Sequence, residues 1–159
     1  MPTSEKILDL KKLQATITNW QSEGDKVVFT NGCFDIIHLG HIDYLEKARN
    51  LGDRLIVALN TDASVSGLKG PSRPVVNEYA RARVMSALEF VDAVTFFSEN
   101  TPYELIKMLK PDILVKGSDY LADNIVGADV VIDNGGQVLT VELVEGYSTS
   151  SIINKIKSN

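Results

Sequence analysis

The chain has 159 residues, 44% hydrophobic and 23% charged, with a formal net charge of −5. That is about one domain's worth of chain, with enough apolar material to offset the entropy of ordering, so disorder along most of its length is excluded. The longest apolar run, Leu55–Leu59, falls far short of the ~20 residues of a membrane-spanning helix, and the acidic balance disfavours nucleic acid as a partner. The single cysteine, Cys33, has no partner for an internal disulfide. The N-terminus lacks the apolar core and cleavage site of a secretory signal. A cytoplasmic protein that binds no membrane is the expectation.

Leu10, Leu13, Ile17 and Trp20 recur at helical spacing, and Gly24 stops the segment. Residues 1–24 are therefore read as a helical segment packed on a single domain of residues 25–159, with Trp20 as packing. Val27–Thr30 is a short β-rich run. Ile42, Leu45 and Ala48 predict a helix over Ile42–Leu51, with Gly52 just past its end. Arg54–Asn60 carries Leu-Ile-Val-Ala-Leu as a second strand. A helix begins near Glu78 and runs through Leu88, and Ala93–Phe97 is a third strand. Thr101 as N-cap and Pro102 at the first helical position open another helix, which Pro111 ends. Asp112–Lys116 and Gln137–Leu143 complete the strands, and a last helix covers Ser150–Ile156. Near-continuous apolar runs suit strands buried on both faces. The alternation predicts an α/β fold: a Rossmann-like, doubly wound, parallel five-stranded sheet with helices on both faces, taking ligands at the carboxyl ends of its strands.

The first strand leads into Thr30-Asn31-Gly32-Cys33-Phe34-Asp35-Ile36-Ile37-His38-Leu39-Gly40-His41. Neither a Walker A pattern nor G-x-G-x-x-G occurs. Gly32 lets a ligand approach the strand end closely, and Gly40 allows the same at the mouth of the helix. The first amides of a helix lack internal partners and favour an anion. His38 and His41, the only histidines, lie three apart and share a helix face, so both imidazoles can donate to one anion as charge builds on a leaving group. A metal pair with Cys33 as third ligand is the alternative, and a closed zinc site would need carboxylates as well. Gly67–Arg83 holds Lys69, Arg73, Arg81 and Arg83 against Glu78, a local charge of +3 on an acidic chain. Such a stretch suits a small polyanion such as a nucleotide, or is a solvated loop and helix.

The signature Gly32-Cys33-Phe34-Asp35-x-x-His38-x-Gly40-His41 resembles that of the cytidylyltransferase-like nucleotidyltransferase superfamily. Asn60-Thr61-Asp62, Lys69-Gly70-Pro71-Ser72-Arg73-Pro74, Arg81, Lys116-Gly117-Ser118-Asp119-Tyr120 and Glu145-Gly146-Tyr147-Ser148-Thr149-Ser150 match in order. Within the superfamily these stretches look most like the D-glycero-β-D-manno-heptose 1-phosphate adenylyltransferases of ADP-heptose synthesis, and the likeness covers essentially the whole chain. Those enzymes are often the C-terminal half of a bifunctional protein whose other half is a sugar kinase. Here a stand-alone adenylyltransferase is the expectation, fed by a separate heptose kinase. Ser150, Ile153, Leu143 and Ser118 depart from the usual pattern.

The resemblance implies AMP transfer from ATP to a sugar 1-phosphate, giving ADP-heptose and pyrophosphate for the lipopolysaccharide core. A phosphate monoester is already anionic at neutral pH, so positioning and charge stabilisation suffice. His38 and His41 would hold the triphosphate and stabilise the leaving pyrophosphate. Lys69 would bridge the α-phosphate and the attacking phosphate, with Arg73 and Arg81 nearby. Asn31, Gly32, Cys33, Phe34 and Gly40 would border the nucleotide, Cys33 as an inert thiol. Lys116, Gly117, Asp119 and Tyr120 would border adenine and ribose. Tyr147, Ser148, Thr149 and Ser150 would serve the β- and γ-phosphates with hydroxyls and helix-start amides. Mg²⁺ would ride on the phosphates with several waters and no dedicated protein ligand set, and Asp35 would orient the site or touch the metal. The family often forms homodimers. Two other readings stand beside this one: a glycerol-3-phosphate cytidylyltransferase using CTP, and a non-catalytic nucleotide-binding regulator.

Overall fold

Each apolar run of the sequence becomes a strand. In the computed structural model, which describes residues 1–159, β1 is Val27–Gly32, β2 Arg54–Asn60, β3 Ala93–Phe97, β4 Ile113–Gly117 and β5 Gln137–Val141. The helices are α1 Leu10–Ser22, α2 Leu39–Arg49, α3 Asp62–Lys69, α4 Glu78–Ala87, α5 Tyr103–Leu109, α6 Ala128–Asp133 and α7 Thr149–Lys157. All pairings are parallel, in the order β3-β2-β1-β4-β5. The chain walks from β1 out to β3, then crosses back to β4 on the other side of β1. The strand order reverses between β1 and β4, and ligands bind at such a reversal, beyond the carboxyl ends. The register puts Gly32 beside Leu59, Asn60 beside Phe97 and Gly117 beside Val141.

Side chains alternate across a strand, and that alternation builds two cores. Val27, Phe29, Ile56, Ala58 and Leu114 face one side, under Leu13 and Ile17 of α1, Leu105, Ile106 and Leu109 of α5, and Val131 of α6. Val28, Leu55, Val57, Leu59, Ile113 and Val115 face the other, under Tyr44, Leu45 and Ala48 of α2 and Ala82 and Met85 of α4. The strand runs are continuous because both faces are covered. The N-terminal segment is part of this architecture: Ile7 bridges Val94 in parallel, extending the sheet beyond β3, and Thr95 Oγ1 donates to the Leu8 carbonyl at 2.9 Å.

Several boundaries differ from the expectation. α2 begins at Leu39 rather than Ile42, and β5 stops at Val141 rather than Leu143. α5 begins at Tyr103, with Pro102 in the capping place and no side-chain cap bond, so Thr101 is not its N-cap. Two helices carry no periodic signal. α3 buries only Val65, and α6 only Ala128 and Val131.

Candidate functional site

His38 stands outside α2 as its N-cap, and His41 is the third residue within the helix. Their side chains close a reciprocal cap: Gly40 N donates to His38 Nδ1 at 3.1 Å, and His38 N donates to His41 Nδ1 at 3.4 Å. The rings stack with centroids 3.8 Å apart and 26° between planes. A neutral imidazole that accepts at Nδ1 carries its proton at Nε2. Each ring therefore presents an Nε2–H donor, and both residues line the cleft. Burial pushes the His41 pKa down to about 4, helped by the neighbouring His38, and burial also lowers His38. The unliganded pair is thus uncharged at neutral pH. The expected amide corner is largely absent, because the amides of Gly40, His41 and Ile42 are already bonded to His38. The donors at this helix start are imidazoles.

The turn before the histidines is strained. Phe34 and Ile36 have φ of 48° and 54°, in the region that non-glycine residues avoid, above all β-branched ones. Asp35, between them and 1% exposed, anchors the turn. Its carboxylate accepts from Arg73 Nε at 2.9 Å, Val75 N at 2.8 Å and Val76 N at 2.9 Å, and its carbonyl accepts from Thr149 Oγ1 at 2.6 Å. Burial alone would raise the Asp35 pKa, but these amides and Arg73 outweigh it and hold the carboxyl below its usual range. Gly32 lines the cleft, and its missing side chain also makes room within the protein. A Cβ there would meet the Phe34 ring at 2.9 Å, and that ring packs edge-on against His41 with centroids 5.2 Å apart.

Arg81 was expected near the phosphates. It is instead 1% exposed, absent from the cleft wall, and braces the strand ends. It donates to the carbonyls of Val76 at 2.9 Å, Cys33 at 2.6 Å and Asn60 at 2.9 Å, and pairs with Asp62 at 2.9 Å. Two hydroxyls are also occupied within the protein. Ser148 caps α7 by accepting from Ser151 N at 3.1 Å, and Thr149 ties α7 to the β1 turn. Cys33 donates its thiol to Asn60 Oδ1 at 3.7 Å. Burial raises the Cys33 pKa against the pull of Lys69, Arg81 and Arg73, which disfavours the thiolate.

A cleft of about 730 Å³ opens over the carboxyl ends of the strands. Every residue the sequence assigned to the site lines it except Arg81. Lys69 is the exposed last residue of α3, not part of a loop. Lys116, at the end of β4, donates to the Asn31 carbonyl at 3.1 Å. No three His, Cys, Asp or Glu side chains converge as a metal site, and both histidine Nδ1 atoms are engaged by amides, so the metal-pair alternative has no geometry behind it. Sequence reasoning missed the far wall, including Tyr44, Phe97, Asn100, Thr101 and Asn124. Asn60 belongs to a stretch that matches the family, but the sequence gives it no role in the site. The others carry no motif, and only the sheet order gathers them.

This geometry has close relatives. Residues 29–155 match the cytidylyltransferase-like family. The chain belongs to that family. It is 54% identical to the bifunctional protein HldE of Methylobacillus flagellatus over 98% of its own length and 32% of that protein. It is equally identical to HldE of Gluconobacter oxydans, over 99% of itself and 33% of that protein. The chain thus spans about a third of the length of the curated relatives it matches. A crystal structure of the lipopolysaccharide core biosynthesis protein from Thermoplasma volcanium GSS1 is 30% identical, with a TM-score of 0.60, covering 79% of this chain and all of that one. Pantoate-β-alanine ligase from Francisella tularensis, 16% identical with a TM-score of 0.62 over 96% of this chain and 78% of that one, shares the fold.

Proposed function

We propose that this chain transfers AMP from ATP to the phosphate of D-glycero-β-D-manno-heptose 1-phosphate, releasing pyrophosphate. The stacked His38–His41 pair carries the reading. It offers two neutral N–H donors, fixed by the helix cap, to an anion at the strand ends. Preorganised donors of this kind stabilise charge that develops on a leaving group. The similarity to the HldE proteins and to the lipopolysaccharide core protein supports a sugar phosphate as acceptor.

In the reaction a phosphate oxygen of the sugar attacks the α-phosphorus, forming one P–O bond. The bond to the β-phosphate oxygen breaks, and its electron pair leaves with pyrophosphate. The nucleophile is already an anion, so no general base is required. His38 and His41 hold the departing phosphates, and Lys69 draws the two reacting phosphates together. Asp35 keeps the turn and Arg73 in place; with its carboxylate bonded to Arg73, Val75 and Val76, it does not fit a metal ligand. Mg²⁺, brought by the nucleotide, would supply charge neutralisation on the phosphates. The sugar phosphate would come from a kinase.

The test is pyrophosphate release from Mg²⁺-ATP or Mg²⁺-CTP, with heptose 1-phosphate beside hexose 1-phosphates and glycerol 3-phosphate. ATP with the heptose is expected to give the highest kcat/KM. Preference for CTP and glycerol 3-phosphate would overturn the assignment, and tight ATP binding without turnover on any acceptor would make the chain a nucleotide sensor. His41→Ala is expected to lower kcat by about 100-fold or more while leaving the circular dichroism spectrum unchanged.

A further inference from the structure

Lys116 closes β4 at the crevice where the strand order reverses. Its Nζ reaches across to β1 and donates to the Asn31 carbonyl, and it lies 5.6 Å from the centre of the Tyr120 ring. It forms no ion pair; the chain's ion pairs are made by Lys47, Arg49, Arg54, Arg73 and Arg81. An ammonium has three N–H donors, and one is used. Taking such a group out of water without a counter-charge is unfavourable. The cost registers as a pKa pushed down to about 8 by burial, against the opposite pull of Asp119 and Cys33. Beside it, the Oδ1 of Asn31 is buried with no partner. This wall of the cleft is therefore incomplete: it holds a cation with free donors, and Asp119, near enough to act on it, makes no ion pair with it.

The sheet order says where a partner anion would lie. β2 and β4 flank β1 on opposite sides. Lys69 reaches the cleft from the β2 side through α3, and Lys116 from the β4 side. Arg73, the third cation on the wall, is held by Asp35. An anionic group above the end of β1 therefore has a free lysine on each flank, with the histidine pair at the start of the next helix. Adenine and ribose are uncharged and would leave Lys116 unpaired.

We propose that Lys116 is a catalytic residue for the transferred phosphoryl group, contacting a non-bridging oxygen of the α-phosphate opposite Lys69 rather than bordering the nucleoside. This deepens the nucleotidyl-transfer reading and rests on it. Lys116 keeps its proton throughout. It stabilises the charge on the α-phosphate oxygens while the bond to the sugar phosphate forms and the bond to pyrophosphate breaks.

The experiment compares wild-type protein with Lys116→Met and Lys116→Arg. It measures pyrophosphate release, ATP dissociation constants, and rates with the two diastereomers of ATP carrying sulfur at the α-phosphorus. Lys116→Met is expected to lower kcat about 100-fold or more, with the ATP dissociation constant changed by about threefold or less. Lys116→Arg is expected to recover part of the rate. The wild-type preference between diastereomers should collapse in Lys116→Met and change in Lys116→Arg, a readout that general loosening of the cleft would leave alone. If Lys116→Met does not fold, the diastereomer ratio of Lys116→Arg decides. A kcat within about threefold of wild type with a raised KM for ATP, or an unchanged diastereomer ratio, overturns the proposal and returns Lys116 to the nucleoside. Wild-type protein that releases no pyrophosphate with any sugar phosphate overturns the transfer reading itself, and this assignment with it.

Discussion

Removing the Arg81 guanidinium would strand three carbonyls at once, those of Cys33, Asn60 and Val76, and leave Asp62 without its cation. A buried acceptor left unsatisfied costs about 1–3 kcal/mol, while Asp62, 38% exposed, can turn to water; the three carbonyls together are why Arg81→Met is expected to lower the urea midpoint sharply. The neighbouring Arg83 is exposed, and Arg83→Met should stay within about 0.5 kcal/mol of wild type. The family resemblance singles out Arg81, but nothing in the local sequence shows that it is buried and Arg83 is not, since that burial depends on chain that arrives from 48 residues away. The histidines give a pH signature. The folded pKa of His41 is about 4, against an ordinary 6.5. Between those values the unfolded chain binds a proton that the folded chain refuses, so stability falls as pH is lowered from 6.5 towards 4. His38 is shifted in the same direction. Asp35, held below its usual value of 3.8, supports the fold at higher pH and withdraws that support only as pH drops through its folded pKa. Melting temperature against pH should therefore slope less for His41→Asn than for wild type across this window, and equal slopes would remove His41 as the cause.

At the scale of the element, the start of α2 decides whether the site exists. Gly40 is a helix position where alanine would ordinarily add about 1 kcal/mol. Here an added Cβ would lie 2.9 Å from His38 Cε1, 3.0 Å from His38 Nδ1 and 3.3 Å from Tyr147 Cβ. Gly40→Ala must displace the His38 ring from its cap and its stack. Pyrophosphate release is expected to fall at least about tenfold, while the loss of one cap, about 1 kcal/mol, roughly cancels the propensity gain. A large drop in melting temperature together with unchanged turnover would contradict this. The motif was legible in the sequence because its residues are contiguous, and a short segment suffices to bring both rings to one helix start. The cap itself was not legible. Histidine is an unusual N-cap, and the helix began three residues earlier than its apolar spacing implied, since Leu39 is half exposed at 51%. α3 escaped for the same reason: a short helix with one buried side chain leaves no period to read. Its start did leave a local sign, Thr61 accepting from Ser64 N at 3.3 Å.

At the scale of the whole molecule, the sheet was readable because burial on both faces makes every strand an apolar run, and the turn residues between them mark the crossings. The strand order was not, so the neighbours across the cleft stayed hidden: Asn60, Phe97 and Asn124 are seen to line one cleft only once β3-β2-β1-β4-β5 is known. The same order bears on where the folding unit ends. The family match begins at residue 29, after α1, yet the core does not. Leu13 and Ile17 are 0% and 1% exposed and share one cluster with Val27, Phe29, Ile56 and Ala58. The Leu8 amide donates to Val94 at 2.8 Å on the open side of β3. Full burial of such a side chain is worth about 1.5–3 kcal/mol, so α1 alone supplies a large share of the ~5–15 kcal/mol by which a domain is stable. A fragment of residues 25–159 would keep every cleft residue but expose one face of the sheet and the β3 edge. It is expected to lose its cooperative thermal transition and bind a hydrophobic dye, and Leu13→Ala in the full chain should cost about 2–5 kcal/mol. A fragment that melts cooperatively within a few degrees of the full chain would make α1 an appendage, and would confine the folding unit to the residues the family shares.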